Sequence, residues 1–198
     1  LFRSRVCRAA ARLGIRHLKI TGGEPLVRKG CPELIGSLKT IPGIEAVTIT
    51  TNGILLEQHL DRLKLAGVDG INVSLDTLDR EQFKRITRRD ELDSALAGLK
   101  AALAVPGLNV KLNCVPMGDN DAQLVPLAAL ARDSRLSVRF IELMPIGLGS
   151  SLPRRTQAQV MEILEGAFGP ALPCERAEGA GPGQYVTFRD FQGKVGFI

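Results

Sequence analysis

The sequence predicts an α/β fold in which short β-strands alternate with amphipathic helices around a parallel sheet. Five apolar runs rich in Val, Ile and Leu recur along the chain at intervals of about 25–40 residues. Between them, apolar residues recur three and four positions apart, which is the spacing of a helix with one buried face. Repeated units of this kind form right-handed crossovers, so we expect the five strands to be parallel.

Each strand is a run of apolar and β-branched residues bounded by turn residues. In chain order, the five runs are His17–Ile20, Ala46–Thr50, Gly70–Leu75, Asn109–Val115 and Val138–Leu143. Two later runs, Gln184–Phe188 and Lys194–Ile198, flank Asp190-Phe191-Gln192-Gly193 and predict an antiparallel hairpin. We therefore expect a main body over residues 1–170 and the start of a C-terminal extension over residues 171–198.

The helices follow from apolar residues at helical spacing. In chain order, these are Val6, Ala10 and Leu13; Leu34, Leu38 and Ile41; Leu56, Leu60 and Leu63; Phe83 and Ile86; Leu92, Leu96, Leu99 and Leu103; Leu124, Leu127 and Leu130; and Val160, Ile163 and Leu164. Gly14 and Gly67 are suited to end two of the helices, and Asp79 is suited to cap a third. Asp119-Asn120-Asp121 is interpreted as a turn that leads into a helix, in preference to a metal site. Cys174–Gly183 is interpreted as a loop.

Composition narrows the class of partner. The 198 residues carry a net charge of +5, which suits a phosphorylated or otherwise anionic small substrate. Nucleic acid fits less well, because the chain has no basic block, no Trp and one Tyr. No window approaches the roughly 18 uninterrupted apolar residues of a membrane span, and no signal peptide is visible. Because residue 1 is Leu and the last apolar run is cut short, we interpret the sequence as an internal piece of a longer protein.

The four cysteines do not predict a metal site or a disulfide framework. Cys7, Cys31, Cys114 and Cys174 are far apart in sequence and form no CxxC-type motif. We interpret each as a small buried apolar residue.

The most informative motif is Thr21-Gly22-Gly23-Glu24-Pro25, at the end of the first predicted strand. Two glycines let the backbone turn sharply and approach a ligand closely. Glu24 adds a carboxylate beside exposed backbone groups, which suits a ligand that carries an ammonium and a carboxylate together. The alternative is a plain turn in which Glu24 is solvated.

Polar side chains accompany all five strands. They are Lys19; Thr50, Thr51 and Asn52; Asn72, Ser74 and Asp76; Lys111 and Asn113; and Arg139 and Glu142, which the apolar Met144 follows. In a closed or nearly closed parallel barrel, binding residues collect at the carboxyl ends of the strands, so these positions predict a polar ligand site. The alternative is that Lys19, Lys111 and Arg139 point outward with their charges in water. His17 is a further candidate for contact with an anionic substrate.

Several segments, in this order and at this spacing, carry a family resemblance. They are Lys19–Arg28, Thr50–Gly53, Asn72–Asp76, Val110–Asn113, Val138–Pro145 and Phe191–Gly193. On these segments the chain resembles the radical S-adenosylmethionine (SAM) enzymes and, within that superfamily, the GTP 3′,8-cyclase family of molybdenum-cofactor biosynthesis.

The resemblance implies a partial (β/α)6 TIM-like barrel whose first strand is missing here, so that the chain carries strands 2–6. It implies that SAM is bound by Gly22, Gly23 and Glu24, by Ser74 and by Met144. It also implies that GTP is bound by Lys19, Thr50, Lys111 and Arg139. Lysine and arginine suit a triphosphate, as a point charge and as a forked donor respectively. No residue of this chain is predicted to be catalytic.

In the family, a reduced [4Fe–4S] cluster cleaves SAM, and the resulting 5′-deoxyadenosyl radical converts GTP to 3′,8-cyclo-7,8-dihydro-GTP. The resemblance places the CxxxCxxC motif of the first cluster upstream of this chain and the three cysteines of the second cluster downstream. No metal ligand is therefore predicted here, and we expect this piece alone to be inactive. His17 stands where the family more often has Lys or Arg, and Lys19 stands where it usually has Arg.

Further expectations follow from the resemblance. The next pathway enzyme, which forms cyclic pyranopterin monophosphate, is the expected functional partner, and a homodimer remains open. The expected location is the cytoplasm, or the mitochondrion for a eukaryotic relative. Three alternatives stay open: another radical SAM enzyme, a barrel aldolase with Lys19 or Lys111 as Schiff-base nucleophile, and a non-catalytic barrel that binds a phosphorylated ligand.

Overall fold

The computed structural model describes residues 2–174 and 183–198. The predicted loop Cys174–Gly183 therefore lies mostly outside the described residues. The helices are α1 (Phe2–Arg12), α2 (Cys31–Lys39), α3 (Leu56–Leu65), α4 (Arg80–Thr87), α5 (Leu92–Leu103), α6 (Asp121–Ala129) and α7 (Gln157–Phe168). The strands are β1 (His17–Ile20), β2 (Ala46–Thr51), β3 (Gly70–Ser74), β4 (Asn109–Cys114), β5 (Ser137–Phe140), β6 (Leu172–Pro173), β7 (Gln184–Thr187) and β8 (Lys194–Phe197).

The chain forms two compact units. The first consists of Leu1–Ser74 and Asp93–Val110, and the second consists of Leu75–Leu92 and Lys111–Ile198. The predicted boundary near residue 170 falls between α7 and β6 and remains a prediction. No helix in the described part of the chain is both long enough and apolar enough to cross a membrane.

In the first unit, β2 pairs in parallel with β1 on one side and with β3 on the other. Along β2, Val47, Ile49 and Thr51 are buried, whereas the residues between them are half-buried. This alternation follows from the pleat, which sends successive side chains to opposite faces. One face of β2 thus packs into the apolar core, and the other presents Thr48 and Thr50 beside the neighbouring strands.

The second unit has a mixed sheet. β4 pairs in parallel with β5, and β5 pairs in parallel with β8. The strand β7 then runs antiparallel to β8, and the short β6 runs antiparallel to β7. The predicted hairpin is thereby confirmed, but its second strand also joins the parallel part of the sheet, which the sequence did not predict.

The predicted helices and the five parallel strands are all present, but three strands end earlier than expected. They end at Ser74, Cys114 and Phe140, not at Leu75, Val115 and Leu143. The end of β4 at Cys114 has a clear cause. The backbone N–H of the next residue, Val115, donates to the side chain of Asp76 (Oδ1, 2.8 Å) in place of a neighbouring strand. The predicted turn at residues 119–121 is confirmed, since α6 begins at Asp121.

Candidate functional site

The Gly-Gly-Glu loop lies directly after β1 in the first unit. The carboxylate of Glu24 caps the short 3-10 turn Pro25–Val27, where its Oε1 accepts the N–H of Leu26 at 2.9 Å. The same oxygen accepts the hydroxyl of Thr51 at 2.8 Å, and Oε2 accepts the N–H of Asn52 at 2.7 Å. Glu24 is therefore not a freely solvated side chain: it joins the loop after β1 to the end of β2.

A cavity of about 1000 Å³ lies beside this loop. Its lining includes Lys19, Gly23, Glu24, Arg28 and Lys29. Cβ atoms built at Gly22 or Gly23 would meet no atom within 4 Å, so the backbone of both glycines is open to a ligand. An open backbone with one carboxylate and several cations around it matches the charges of a zwitterionic amino-acid group.

The remaining predicted residues of the first unit lie on the ends and faces of its strands. Lys19 is exposed on β1, and Ser74 is exposed as the last residue of β3. Thr50 and Asn72 are register partners on β2 and β3, and the Asn72 amide donates to Thr50 Oγ1 at 3.3 Å. Asn72 is buried, so this hydrogen bond fixes the rotamer of the half-buried Thr50.

Two predicted cations share one face of the sheet in the second unit. Lys111 on β4 is paired in register with Ser137, and Asn113 two residues later is paired with Arg139 on β5. The Arg139 Nε donates to Asn113 Oδ1 at 2.9 Å. Lys111 and Arg139 are each only 8% exposed, so the alternative in which these two side chains point outward into water is excluded.

One further residue of this face, Tyr185, was not predicted from the sequence. The ring of Tyr185 on β7 lies with its centroid 5.8 Å from Lys111 Nζ, within the range of a cation–π contact. The sequence shows only that Tyr185 is the single tyrosine of the chain and that it lies on a predicted strand. Its position over Lys111 depends on the pairing of β8 with β5, which local sequence patterns do not encode.

Met144 is the remaining predicted SAM residue. It follows β5 in an irregular segment of the second unit and is 69% exposed. Its role in binding SAM remains a prediction.

In the second unit, a polar cluster around the buried Asn120 stabilises the loop that follows β4. The Asn120 amide donates to the backbone oxygens of Asp76, at 2.9 Å, and Val115, at 3.0 Å, while its Oδ1 accepts the N–H of Met117 at 2.8 Å. Burial raises the pKa of the Asp76 carboxyl, against the opposing effect of its hydrogen bond from Val115. Burial also raises the pKa of the Cys114 thiol, and the nearby Asp76 charge raises it further, so Cys114 is a neutral core residue.

The described residues do not supply a metal centre. Within residues 2–174 and 183–198, no group of three or more His, Cys, Asp or Glu side chains could hold a metal ion. Cys31 and Cys114 are buried, and no disulfide links any of the four cysteines within the described part of the chain. The described part of the chain therefore does not fit an iron–sulfur cluster, whereas the Gly-Gly-Glu loop and its cavity fit an amino-acid group such as that of SAM.

Comparison with known proteins identifies the superfamily. The family model described as the radical SAM superfamily matches residues 4–131. The chain belongs to the radical SAM superfamily.

Several curated relatives align with nearly all of this radical SAM chain. The GTP 3′,8-cyclase of Pelotomaculum thermopropionicum is 44% identical over 197 residues, and that of Heliobacterium modesticaldum is 43% identical over 198 residues. The one from Clostridium perfringens strain 13 is 38% identical over 195 residues.

Each alignment covers 98% of this chain. It covers only 60% or 61% of the relative, so the chain spans about three fifths of the length of the curated relatives it matches.

Two solved structures share the fold. Coproporphyrinogen III oxidase from Escherichia coli, described as a radical SAM enzyme, superimposes with a TM-score of 0.58 at 16% identity, covering 83% of this chain and 43% of the other. A structure of TYW1 with a lysine–pyruvate adduct bound gives a TM-score of 0.56 at 14% identity, covering 94% and 62%. These similarities confirm the predicted α/β fold of the radical SAM type.

Proposed function

We propose that the protein of which this chain is part is a GTP 3′,8-cyclase, which uses SAM to convert GTP to 3′,8-cyclo-7,8-dihydro-GTP for molybdenum-cofactor biosynthesis. One observation carries the proposal: relatives with that name are 38–44% identical to this chain over 98% of its length. Two features of the structure support it: a cavity beside the open glycine loop, and two buried cations on one face of the sheet in the second unit.

The loop of Gly22, Gly23 and Glu24 is the proposed site for the amino-acid group of SAM. The open glycine backbone offers carbonyl and N–H groups, and the cavity beside it supplies room. Because Glu24 is held by three internal donors, its main contribution is to fix the loop in this shape. Ser74 and Met144 are the proposed further contacts. When bound, SAM supplies the radical that takes hydrogen from the ribose of GTP.

The cations are the proposed contacts for GTP. Lys111 and Arg139 lie buried on one face, where a low local dielectric strengthens their attraction for a triphosphate. Arg139 Nε donates a hydrogen bond to Asn113, which fixes the plane of the guanidinium. Lys19 and Thr50 are the proposed contacts from the first unit. These residues bind and orient the nucleotide, and holding reactants in a fixed geometry is a large part of enzymatic rate enhancement.

The remaining expectations belong to this proposal. The cyclised product would pass to the enzyme that forms cyclic pyranopterin monophosphate. A homodimer and a cytoplasmic location are retained as predictions. Iron–sulfur clusters, which the radical chemistry needs, would use ligands from the rest of the protein.

The test uses the full-length protein, reconstituted with iron and sulfide without oxygen and supplied with SAM, dithionite and GTP. Mass spectrometry should find 5′-deoxyadenosine together with an isomer of GTP of unchanged mass. Deoxyadenosine without the isomer would reject the cyclase in favour of another radical SAM enzyme. Absence of both products, from a protein with an intact cluster, would favour a non-catalytic binding protein.

A matched pair of variants links the assay to the face described above. Lys111→Gln removes the buried cation and should abolish most GTP conversion while SAM cleavage continues. Lys84→Gln makes the same chemical change on an exposed position of α4 and should leave both products at the level of the unaltered protein. Equal effects of the two variants would contradict the proposed role of Lys111.

A further inference from the structure

The ring of Tyr185 is seated on a glycine of the neighbouring strand. Tyr185 on β7 is paired in register with Gly196 on β8. A Cβ atom added at Gly196 would lie 2.6 Å from Tyr185 Cε1 and 2.9 Å from Cδ1, far inside normal contact. Gly196 is buried, so the ring itself fills the space that any larger side chain would need. An aromatic side chain on a neighbouring strand is known to pack over a strand glycine and fill the space left by its missing side chain.

The same ring lies close to both buried cations. Arg139 on β5 is the parallel partner of Gly196, and its Cγ would lie 3.1 Å from the added Cβ atom. The Arg139 stem and the Tyr185 ring thus share the space above Gly196. Lys111 Nζ is 5.8 Å from the ring centroid. Tyr185 is therefore in one layer with Lys111, Arg139 and Gly196.

We propose that Tyr185 is a positioning residue that holds Lys111 and Arg139 ready for the phosphates of a nucleoside triphosphate. This inference rests on the proposed function. Both side chains are long and have many rotamers. The negative face of the ring attracts the Lys111 ammonium, and its edge limits where the Arg139 stem can move. The ring therefore keeps the two side chains ordered before the anion binds. Binding then costs less side-chain conformational entropy.

The first experiment compares Tyr185→Leu with Tyr185→Phe in the full-length reconstituted protein. Leucine fills part of the volume but has no ring face, whereas phenylalanine keeps the ring and removes only the hydroxyl. For Tyr185→Leu we expect the KM for GTP to rise about five- to tenfold, with kcat changed less than about twofold. The KM of Tyr185→Phe should stay within about twofold of the KM of the unaltered protein. The thermal unfolding midpoint is measured for each variant.

The second experiment does not depend on GTP conversion. Binding of inorganic triphosphate to the same proteins is measured by titration calorimetry, and Tyr185→Leu should weaken it by a similar factor while Tyr185→Phe does not. If the unaltered protein forms no cyclised GTP but shows this pattern with triphosphate, the proposed function fails and the positioning role stands. Equal triphosphate binding by all three proteins overturns the positioning role, whatever the activity.

Gly196→Ala provides an independent variant in case Tyr185→Leu does not fold. The added methyl group displaces the ring from its seat without removing it. We expect weaker triphosphate binding and a raised KM for GTP, as for Tyr185→Leu. A KM unchanged in Gly196→Ala, or a Tyr185→Phe protein as impaired as Tyr185→Leu, would overturn the assignment to the ring.

Discussion

Glu24 Oε2 accepts the backbone N–H of Asn52 at 2.7 Å, and this bond joins the glycine loop after β1 to the end of β2. The other carboxylate oxygen accepts donors from both segments, Leu26 and Thr51. One side chain thus satisfies three donors in two consecutive crossovers of the first unit. The shape of the ligand loop and the position of the β2 end are consequently set together.

Glu24→Gln should destabilise the protein and weaken SAM binding. The new amide has one oxygen in place of two, so at least one of the three donors is left opposite an N–H group. We expect a loss of about 1–3 kcal/mol in the free energy of unfolding, as for a lost hydrogen bond to a charged group. Denaturant unfolding measures the first effect, and titration with SAM measures the second.

The control is Glu45→Gln, which makes the same change at an exposed position of the same unit. It should leave both measurements unchanged. If Glu24→Gln unfolds at the same denaturant concentration as this control, the three hydrogen bonds do not hold the loop.

Asp76→Asn should stabilise the protein at neutral pH. Burial raises the pKa of this carboxyl above its ordinary value of 3.8, so the folded chain bears a cost for ionising it. The folded state binds the proton more tightly than the unfolded state, so its advantage is present below pH 3.8 and is lost as the pH rises through the folded pKa. The amide has no such cost, and its oxygen can still accept the Val115 N–H.

The check is the difference in unfolding free energy between Asp76→Asn and the unaltered protein as a function of pH. The difference should grow as the pH rises above 3.8 and approach zero at lower pH. Asp119→Asn, at an exposed neighbour whose charge also raises the pKa of Asp76, should show a smaller change of the same sign. A difference that is constant with pH would contradict this account.

Two glycine-to-alanine changes in helices should have opposite effects. At Gly98 in α5, a Cβ atom would lie 2.4 Å from the backbone oxygen of Gly53, so we expect a loss of about 1–3 kcal/mol. At Gly166 in α7, a Cβ atom would meet nothing within 4 Å, so we expect a gain of about 0.5–1 kcal/mol from the better helix propensity of alanine. Thermal unfolding midpoints compare the two. A stable Gly98→Ala protein would show that α5 does not press on the loop after β2.

Thiol labelling should separate the four cysteines. Cys31 and Cys114 are buried, whereas Cys7 and Cys174 are half-exposed. Because the thiolate is the reactive form, and burial raises the pKa of Cys114, alkylation at pH 8 should modify Cys7 and Cys174 first. Peptide mass spectrometry at increasing times gives the order. Full labelling of Cys114 before unfolding would show that its surroundings open readily.

Local patterns were sufficient to predict the helices and the parallel strands because each depends on the periodicity of a few neighbouring residues. They also placed Lys111 and Arg139 correctly on strands. They failed where distant segments decide the outcome. The pairing of β8 with β5 joins residues separated by α7, β6 and β7, so neither this pairing nor the position of Tyr185 could be inferred from spacing.

The strand ends were missed for a related reason. Val115 continues an apolar run, but its N–H is taken by a side chain that follows a different strand. β6 was missed because a two-residue strand that contains Pro173 has no periodicity to recognise. The internal hydrogen bonds of Glu24 were equally hidden, since they depend on where the end of β2 lies relative to the loop.

The position of β8 beside β5 also has a consequence for how the chain is made. During synthesis β5 leaves the ribosome well before β8, so until then its outer edge has no partner and its N–H and C=O groups are unpaired. Such an edge is a template for pairing with another chain, and pairings between distant segments form slowly. The second unit should therefore be the more aggregation-prone part of the nascent protein, and its vulnerable period should end when the hairpin emerges.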